Sequence, residues 1–249
     1  MNEAVLQVDG LHKAFGGVQA VEDVSFAVSA GELLALIGPN GAGKSTCFNM
    51  LNGQLVPDSG IVRFQGRDIV GLSPRAIWRL GVGRTFQITA TFSSLSVREN
   101  VQMALYSHAG RLWSLLSRFG LALRGEADAL LDQVGMIDQA DRVCGVLAYG
   151  DLKRVELAMA LANQPRLLLM DEPTAGMAPK ERVALMELTA RLARAQRIAV
   201  LFTEHDMDVV FSQADRIVVL DRGRLIAGGL PADVRANPDV QAVYLGGGH

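Results

Sequence analysis

The chain of 249 residues carries 24 basic against 26 acidic side chains, a net charge of −2, and 49% of its residues are hydrophobic. That length holds one large or two small domains with a buried core. The near-neutral balance lacks the polyelectrolyte signature of a nucleic-acid binder, and no uncharged apolar stretch approaches the roughly 20 residues that span a bilayer. The two cysteines, Cys47 and Cys144, lack metal-type spacing, and no secretory signal pattern is present at the start, so a reducing, cytosolic compartment is expected.

Residues 4–8 and 24–28 read as short strands separated by a turn at Gly16-Gly17, which predicts a β layer at the start of the chain. An apolar strand at 33–37 then runs into Gly38-Pro39-Asn40-Gly41-Ala42-Gly43-Lys44-Ser45-Thr46, which opens a helix over 43–52. This pattern is a phosphate cradle. Gly38, Gly41 and Gly43 let the backbone curl close to a polyphosphate, and the loop amides and helix N-terminus offer positive potential. Lys44 reaches the β/γ-phosphates and Ser45 supplies an oxygen to Mg²⁺. Cys47, just behind the loop, reads as a small buried residue of that helix.

The turn Pro57-Asp58-Ser59-Gly60 leads into a strand at 61–65, and Ser73-Pro74 starts a short helix by N-cap and first-turn proline. From about 91 to 162 the spacing of apolar residues turns helical, with helices predicted over 97–106, 111–123, 126–134 and 152–161. Residues 111–119 are basic, apolar and amphipathic; burial in this helical region competes there with a membrane-surface or partner contact. An α/β pattern resumes with strands at 167–170, 198–202, 217–220 and 224–227 and a helix over 180–195. The glycines at 246–248 read as a frayed end.

The run Leu167-Leu168-Leu169-Met170-Asp171-Glu172 is an apolar strand ending in two carboxylates. Beside a phosphate loop, Asp171 would hold Mg²⁺ and Glu172 would activate the attacking water. His205, in Thr203-Glu204-His205-Asp206, ends another apolar strand, from which its imidazole could reach the γ-phosphate opposite Lys44. His12 and His108 have no such company and read as incidental.

Taken together these residues resemble the ATP-binding cassette family of transport ATPases, over essentially the whole chain. The resemblance implies an α/β fold: a P-loop NTPase of cassette type with an N-terminal antiparallel β layer and an inserted α-helical subdomain. The whole chain, 1–249, would be one ATPase domain, with 91–162 as the helical subdomain and 1–90 plus 163–249 as the β layer and core. It implies ATP and Mg²⁺ as ligands. Phe15 matches the aromatic residue that stacks on adenine, and Gln87, in Arg84-Thr85-Phe86-Gln87, matches the glutamine that senses the γ-phosphate, helps hold Mg²⁺ and signals to the membrane partner. Asn40 and Thr46 join the glycines, Lys44 and Ser45 around the phosphates. Asp171, Glu172 and His205 match the Mg²⁺ aspartate, catalytic glutamate and switch histidine.

Leu147-Ala148-Tyr149-Gly150-Asp151 corresponds to the signature segment that completes the ATP site of a facing subunit, where Leu-Ser-Gly-Gly-Gln is usual. Ala148 lacks the serine hydroxyl, a loss of about 1.5–3 kcal/mol for a hydrogen bond to a charged group. Gly150 and the helix N-terminus remain available to the phosphate. In Ala175-Gly176-Met177-Ala178 the aspartate common at the fourth position is also missing. A working site therefore needs two cassettes head to tail, identical or paralogous.

The signature wording, the phrase from Asp171 to Met177, the stretch from Glu204 to Met207, and the tail Asn237-Pro238-Asp239-Val240 through Val243-Tyr244-Leu245-Gly246 resemble the ATP-binding subunits of branched-chain amino acid importers. That resemblance implies two membrane permeases, an extracytoplasmic binding protein, and peripheral attachment to the cytoplasmic face of a bacterial inner membrane. Urea or amide importers and lipid exporters share the cassette. A soluble ATPase of DNA maintenance or translation would need a long coiled-coil insert or a second cassette. Glu172 and His205 argue against a non-catalytic regulatory cassette.

Overall fold

The computed structural model describes residues 4–85, 91–109 and 123–245. Gln87 and the amphipathic 111–119 segment lie outside the described residues. Two sheets form the framework. The first is antiparallel, in the order β2 (Val18–Ser29), β1 (Ala4–Phe15), β4 (Ser59–Phe64) and β5 (Arg67–Asp68). The second has the order β10 (Arg224–Gly229), β9 (Arg216–Asp221), β3 (Leu33–Ile37), β8 (Ala199–Thr203), β7 (Leu167–Asp171) and β6 (Val82–Thr85). All its pairings are parallel except β10 with β9.

The central strands read as unbroken apolar runs because both their faces are buried. Side chains alternate across a strand, so Leu33, Ala35 and Ile37 enter one apolar cluster while Leu34 and Leu36 enter the other. Val200 and Phe202 of β8 and Leu168 and Met170 of β7 join the first; Leu201, Leu167 and Leu169 join the second. The second cluster also takes in the antiparallel sheet and Cys47, Phe48 and Leu51 of α1 (Lys44–Leu51). Cys47 is fully buried and its thiol is pushed up to about 12, as expected of a packing residue rather than a reactive one.

The first cluster takes in helices α3 (Val97–Ala109), α4 (Arg124–Gln133), α5 (Tyr149–Leu161) and α6 (Pro179–Gln196). The helices α3, α4 and α5 pack on one another, and α5 also packs on β6 and α6, so apolar contact runs unbroken from sheet to helices.

The structure extends the sequence reading in several places. Strands β1 and β2 form a long hairpin turning at Gly16 and Gly17, with register shifts such as that between Val8 and Leu11. Those irregularities break the alternation that marks a strand, which is why only its apolar half is legible. Strand β6 is short and holds Gly83 and Arg84. The helix α2 (Pro74–Arg79) does begin at Ser73, whose hydroxyl accepts from the Ala76 amide at 3.3 Å. The helices α7 (Met207–Gln213) and α8 (Pro231–Ala236) are too short to show a period. The helix α9 (Pro238–Leu245) ends the described chain, with Asn237 accepting from the Asp239 amide at 2.8 Å.

Phe202 is wholly buried in the middle of the second sheet. Phe202→Ala is expected to destabilise the protein by about 3–5 kcal/mol, read from chemical denaturation.

Candidate active site

Because β3, β8 and β7 are adjacent and parallel, their C-terminal ends open on one edge of the sheet, where ligands of open α/β sheets bind. The end of β3 carries the glycine-rich loop, β7 delivers Asp171 and Glu172, and β8 delivers Thr203, Glu204 and His205.

The loop glycines have steric causes. A Cβ on Gly38 would lie 2.1 Å from the Leu220 carbonyl oxygen, and one on Gly43 would lie 2.3 Å from that of Ala20. Both also have positive φ, 154° and 105°. Gly43 begins α1 with no side-chain cap, so the helix opens on bare backbone amides and the positive end of its dipole. Asn40 and Ser45 are exposed there, and Thr46 is half-buried in the same first turn. Lys44 is 8% exposed, and its ammonium donates to the carbonyls of Gly38 at 2.6 Å and Pro39 at 3.1 Å. Burial depresses its pKa, while the negative charges of Glu172 and Asp171 act in the opposite sense.

Thr203 organises the acidic end. Its hydroxyl donates to Asp171 Oδ1 at 2.7 Å and accepts from the Glu172 amide at 3.0 Å. Glu172 adopts a left-handed backbone, φ 49°, a conformation that costs a non-glycine residue about 1–2 kcal/mol. The double hold of Thr203 on its amide, through hydroxyl and carbonyl, keeps it there. Nε2 of His205 stands 2.9 Å from Glu172 Oε1; an ionised carboxylate only accepts, so Nε2 carries the proton of that bond. The His205 side chain is half exposed, open to whatever enters the cleft. Arg84, on β6, lies 3.9 Å from Asp171 Oδ2 and donates to Gln54 at 2.8 Å.

Sequence reasoning passed over the supports of this constellation. Glu204 is buried and accepts from the amide and hydroxyl of Thr174 at 2.8 and 2.7 Å, pinning the loop that follows Glu172. Arg182, on α6, donates to the Met177 carbonyl and to Asp206, both at 2.7 Å, and holds the Asp206 carboxyl below its ordinary range. Burial pushes the Tyr244 hydroxyl of α9 up to about 12, against the opposing pull of the Gly38 backbone. A polar run at a strand end was the available signal for Glu204; nothing local marks Tyr244.

Phe15 ends β1 half exposed, with the Lys13 ammonium 5.6 Å from its ring centroid. The segment from Ala148 to Asp151 sits at the start of α5. Asp151 accepts from Gln139 at 3.1 Å, and Gly150 packs on Glu181. The structure thus brings together the residues from Gly38 to Thr46 with Asp171, Glu172 and His205.

A buried cation beside open amides, facing a carboxylate paired with an imidazole, is the equipment of a P-loop nucleotide hydrolase. Residues 21–175 match the family model "ABC transporter", and residues 224–249 match "Branched-chain amino acid ATP-binding cassette transporter". The chain is 40% identical to the high-affinity branched-chain amino acid transport ATP-binding protein LivG of Salmonella typhimurium, over 99% of each chain. It is equally 40% identical, with the same coverage, to BraF of Pseudomonas aeruginosa. A solved ATP-binding cassette of an ABC transporter in its ADP conformation superposes with a TM-score of 0.86 at 30% identity, covering 98% of this chain and 99% of that one. The chain belongs to the ABC transporter family, among the ATP-binding subunits of branched-chain amino acid importers. It is an ATP-hydrolysing subunit that works with membrane partners. Among the described residues no helix is long and apolar enough to cross a membrane.

Thr203→Val keeps the shape of the side chain and removes the hydroxyl that joins Asp171 to Glu172. The expected loss is about 1–3 kcal/mol of stability in denaturant titration, with a fall in ATP turnover.

Proposed function

We propose that this chain binds and hydrolyses ATP to drive import of branched-chain amino acids, as half of an ATPase pair on the cytoplasmic face of a bacterial inner membrane. The observation that carries the cargo class is the tail, whose match to the branched-chain model adds to full-length identity with importers of that cargo. Two permeases and an extracytoplasmic binding protein complete the assembly.

In this reading the triphosphate lies along residues 38–46 and draws the Lys44 ammonium away from the two carbonyls it now holds. Phe15 stacks on adenine. The donor set fits a Mg²⁺ ion: Ser45 is exposed at the helix start, and Asp171 keeps acceptor capacity beyond its one bond from Thr203. Gln87 is read as a third oxygen donor. When bound, the ion neutralises phosphate charge. Glu172 takes the proton of the attacking water, and His205 orients that carboxylate and meets the γ-phosphate.

The segment from Ala148 to Asp151 serves the facing subunit, presenting the open amides of α5. The helical region 91–162 is read as a subdomain that moves with nucleotide. A cleft of about 270 Å³ beside Trp78, Arg84, Thr85, Ala104, Glu156 and Met159 receives a permease segment.

The test is mass spectrometry of the complex captured through this subunit from native membranes, with ATPase assay of the same material. Two permeases and an amino-acid binding protein support the reading; lipid-handling subunits would overturn the cargo while leaving the ATPase intact. Glu172→Gln should lower hydrolysis about 10²-fold or more and preserve ATP binding. Phe15→Ala should weaken nucleotide affinity by about 1–3 kcal/mol in equilibrium titration.

A further inference from the structure

The loop after Glu172 is a pair of tight turns, in which the Ala175 amide donates to the Glu172 carbonyl at 3.2 Å and the Met177 amide to that of Thr174 at 3.1 Å. Its two ends are fastened to the core: Thr174 to Glu204, and Met177 to Arg182. Its middle, Gly176, meets a different element. A Cβ on Gly176 would lie 3.5 Å from Cε1 and 3.9 Å from Cζ of Tyr149, so the ring edge of the first residue of α5 stands beside the loop. Tyr149 stands where the resemblance puts a glycine, which could make no such contact.

The ring is braced from its own helix. The Lys153 ammonium sits 5.4 Å from the ring centroid, and Lys153 is almost wholly buried in an ion pair with Glu156 at 3.0 Å. One residue on, a Cβ at Gly150 would lie 3.2 Å from the Glu181 carboxyl carbon, and Glu181 accepts from the Ala178 amide at 3.4 Å. The start of α5 thus lies beside residues 176–181 at two points.

We propose that Tyr149 is a positioning residue acting within its own subunit: its ring ties the loop behind Glu172 to α5, so the segment offered to the facing subunit moves with this chain's own hydrolytic site. This rests on the paired-ATPase reading given above. The ring, standing beside Gly176, carries the effect, and the hydroxyl is dispensable.

The test uses the assembled transporter with the partner subunit's catalytic glutamate silenced, so that turnover reports Glu172 of this chain alone. Tyr149→Ala is expected to lower that turnover by about tenfold or more, since small displacements of catalytic groups are costly. ATP affinity at this chain's own site should stay within about twofold, and Tyr149→Phe should restore turnover. In the isolated chain, Tyr149→Ala should speed amide exchange at residues 173–178 by about fivefold or more, with Tyr149→Phe protected. Unchanged exchange overturns the proposal. So does a turnover loss found only in the converse complex, with Glu172→Gln in this chain and the partner active, because the ring would then act across the interface. Hydrolysis by this chain that is independent of any partner would overturn the pairing, and the exchange measurement would still decide the contact.

Discussion

The register of β8 between β3 and β7 is the constraint on which the site depends. Asp171 pairs with Thr203 across the β7–β8 ladder, and only in that register does the Thr203 hydroxyl reach both the Asp171 carboxylate and the Glu172 amide. A slip of one residue would turn Phe202 and Thr203 to opposite faces and strand both carboxylates. The register is safe because β8 is buried on each side, with Phe202 and Leu201 committed to different apolar clusters. Catalytic geometry is therefore held by hydrophobic burial well below the edge where the chemistry occurs.

That edge is poised at a cost to stability. Lys44 is buried with only carbonyl oxygens in hydrogen-bond contact among the described residues, and desolvation works against its charge. Glu172 sits in a left-handed backbone that its side chain disfavours. The first feature relaxes toward a polyanion, from which the ammonium gains a stronger acceptor, while the second keeps the carboxylate turned to His205. A site with these properties binds phosphate more favourably than a relaxed loop of equal composition, because the desolvation is already complete.

The parts of this arrangement legible in the sequence are those where one residue's own chemistry forces a local outcome. Gly38 and Gly43 are required by backbone oxygens under 2.5 Å from any Cβ, and strands buried on both faces leave unbroken apolar runs at 33–37 and 167–170. His205 and Glu172 were nameable because each ends such a run. What escaped were contacts between distant segments: Glu204 with Thr174, Arg182 with Asp206, Tyr244 with Gly38. In each, residue type is unremarked until topology supplies the partner. The second half of β1 escaped for another reason, since its bulges erase the alternation.

The altered signature is the place where sequence and structure bear on each other most directly. In the proposed pairing, an aspartate at position 151 puts negative charge near the end of a helix that faces a phosphate, which Coulomb repulsion would penalise. In the folded chain the Asp151 carboxylate is engaged by the Gln139 amide at 3.1 Å, within the same helical region. As a first-turn acid it also favours the N-terminus of α5. With Ala148 supplying no capping hydroxyl, the amides of that turn remain open. The segment thus offers backbone donors alone where a serine would add a side-chain hydrogen bond.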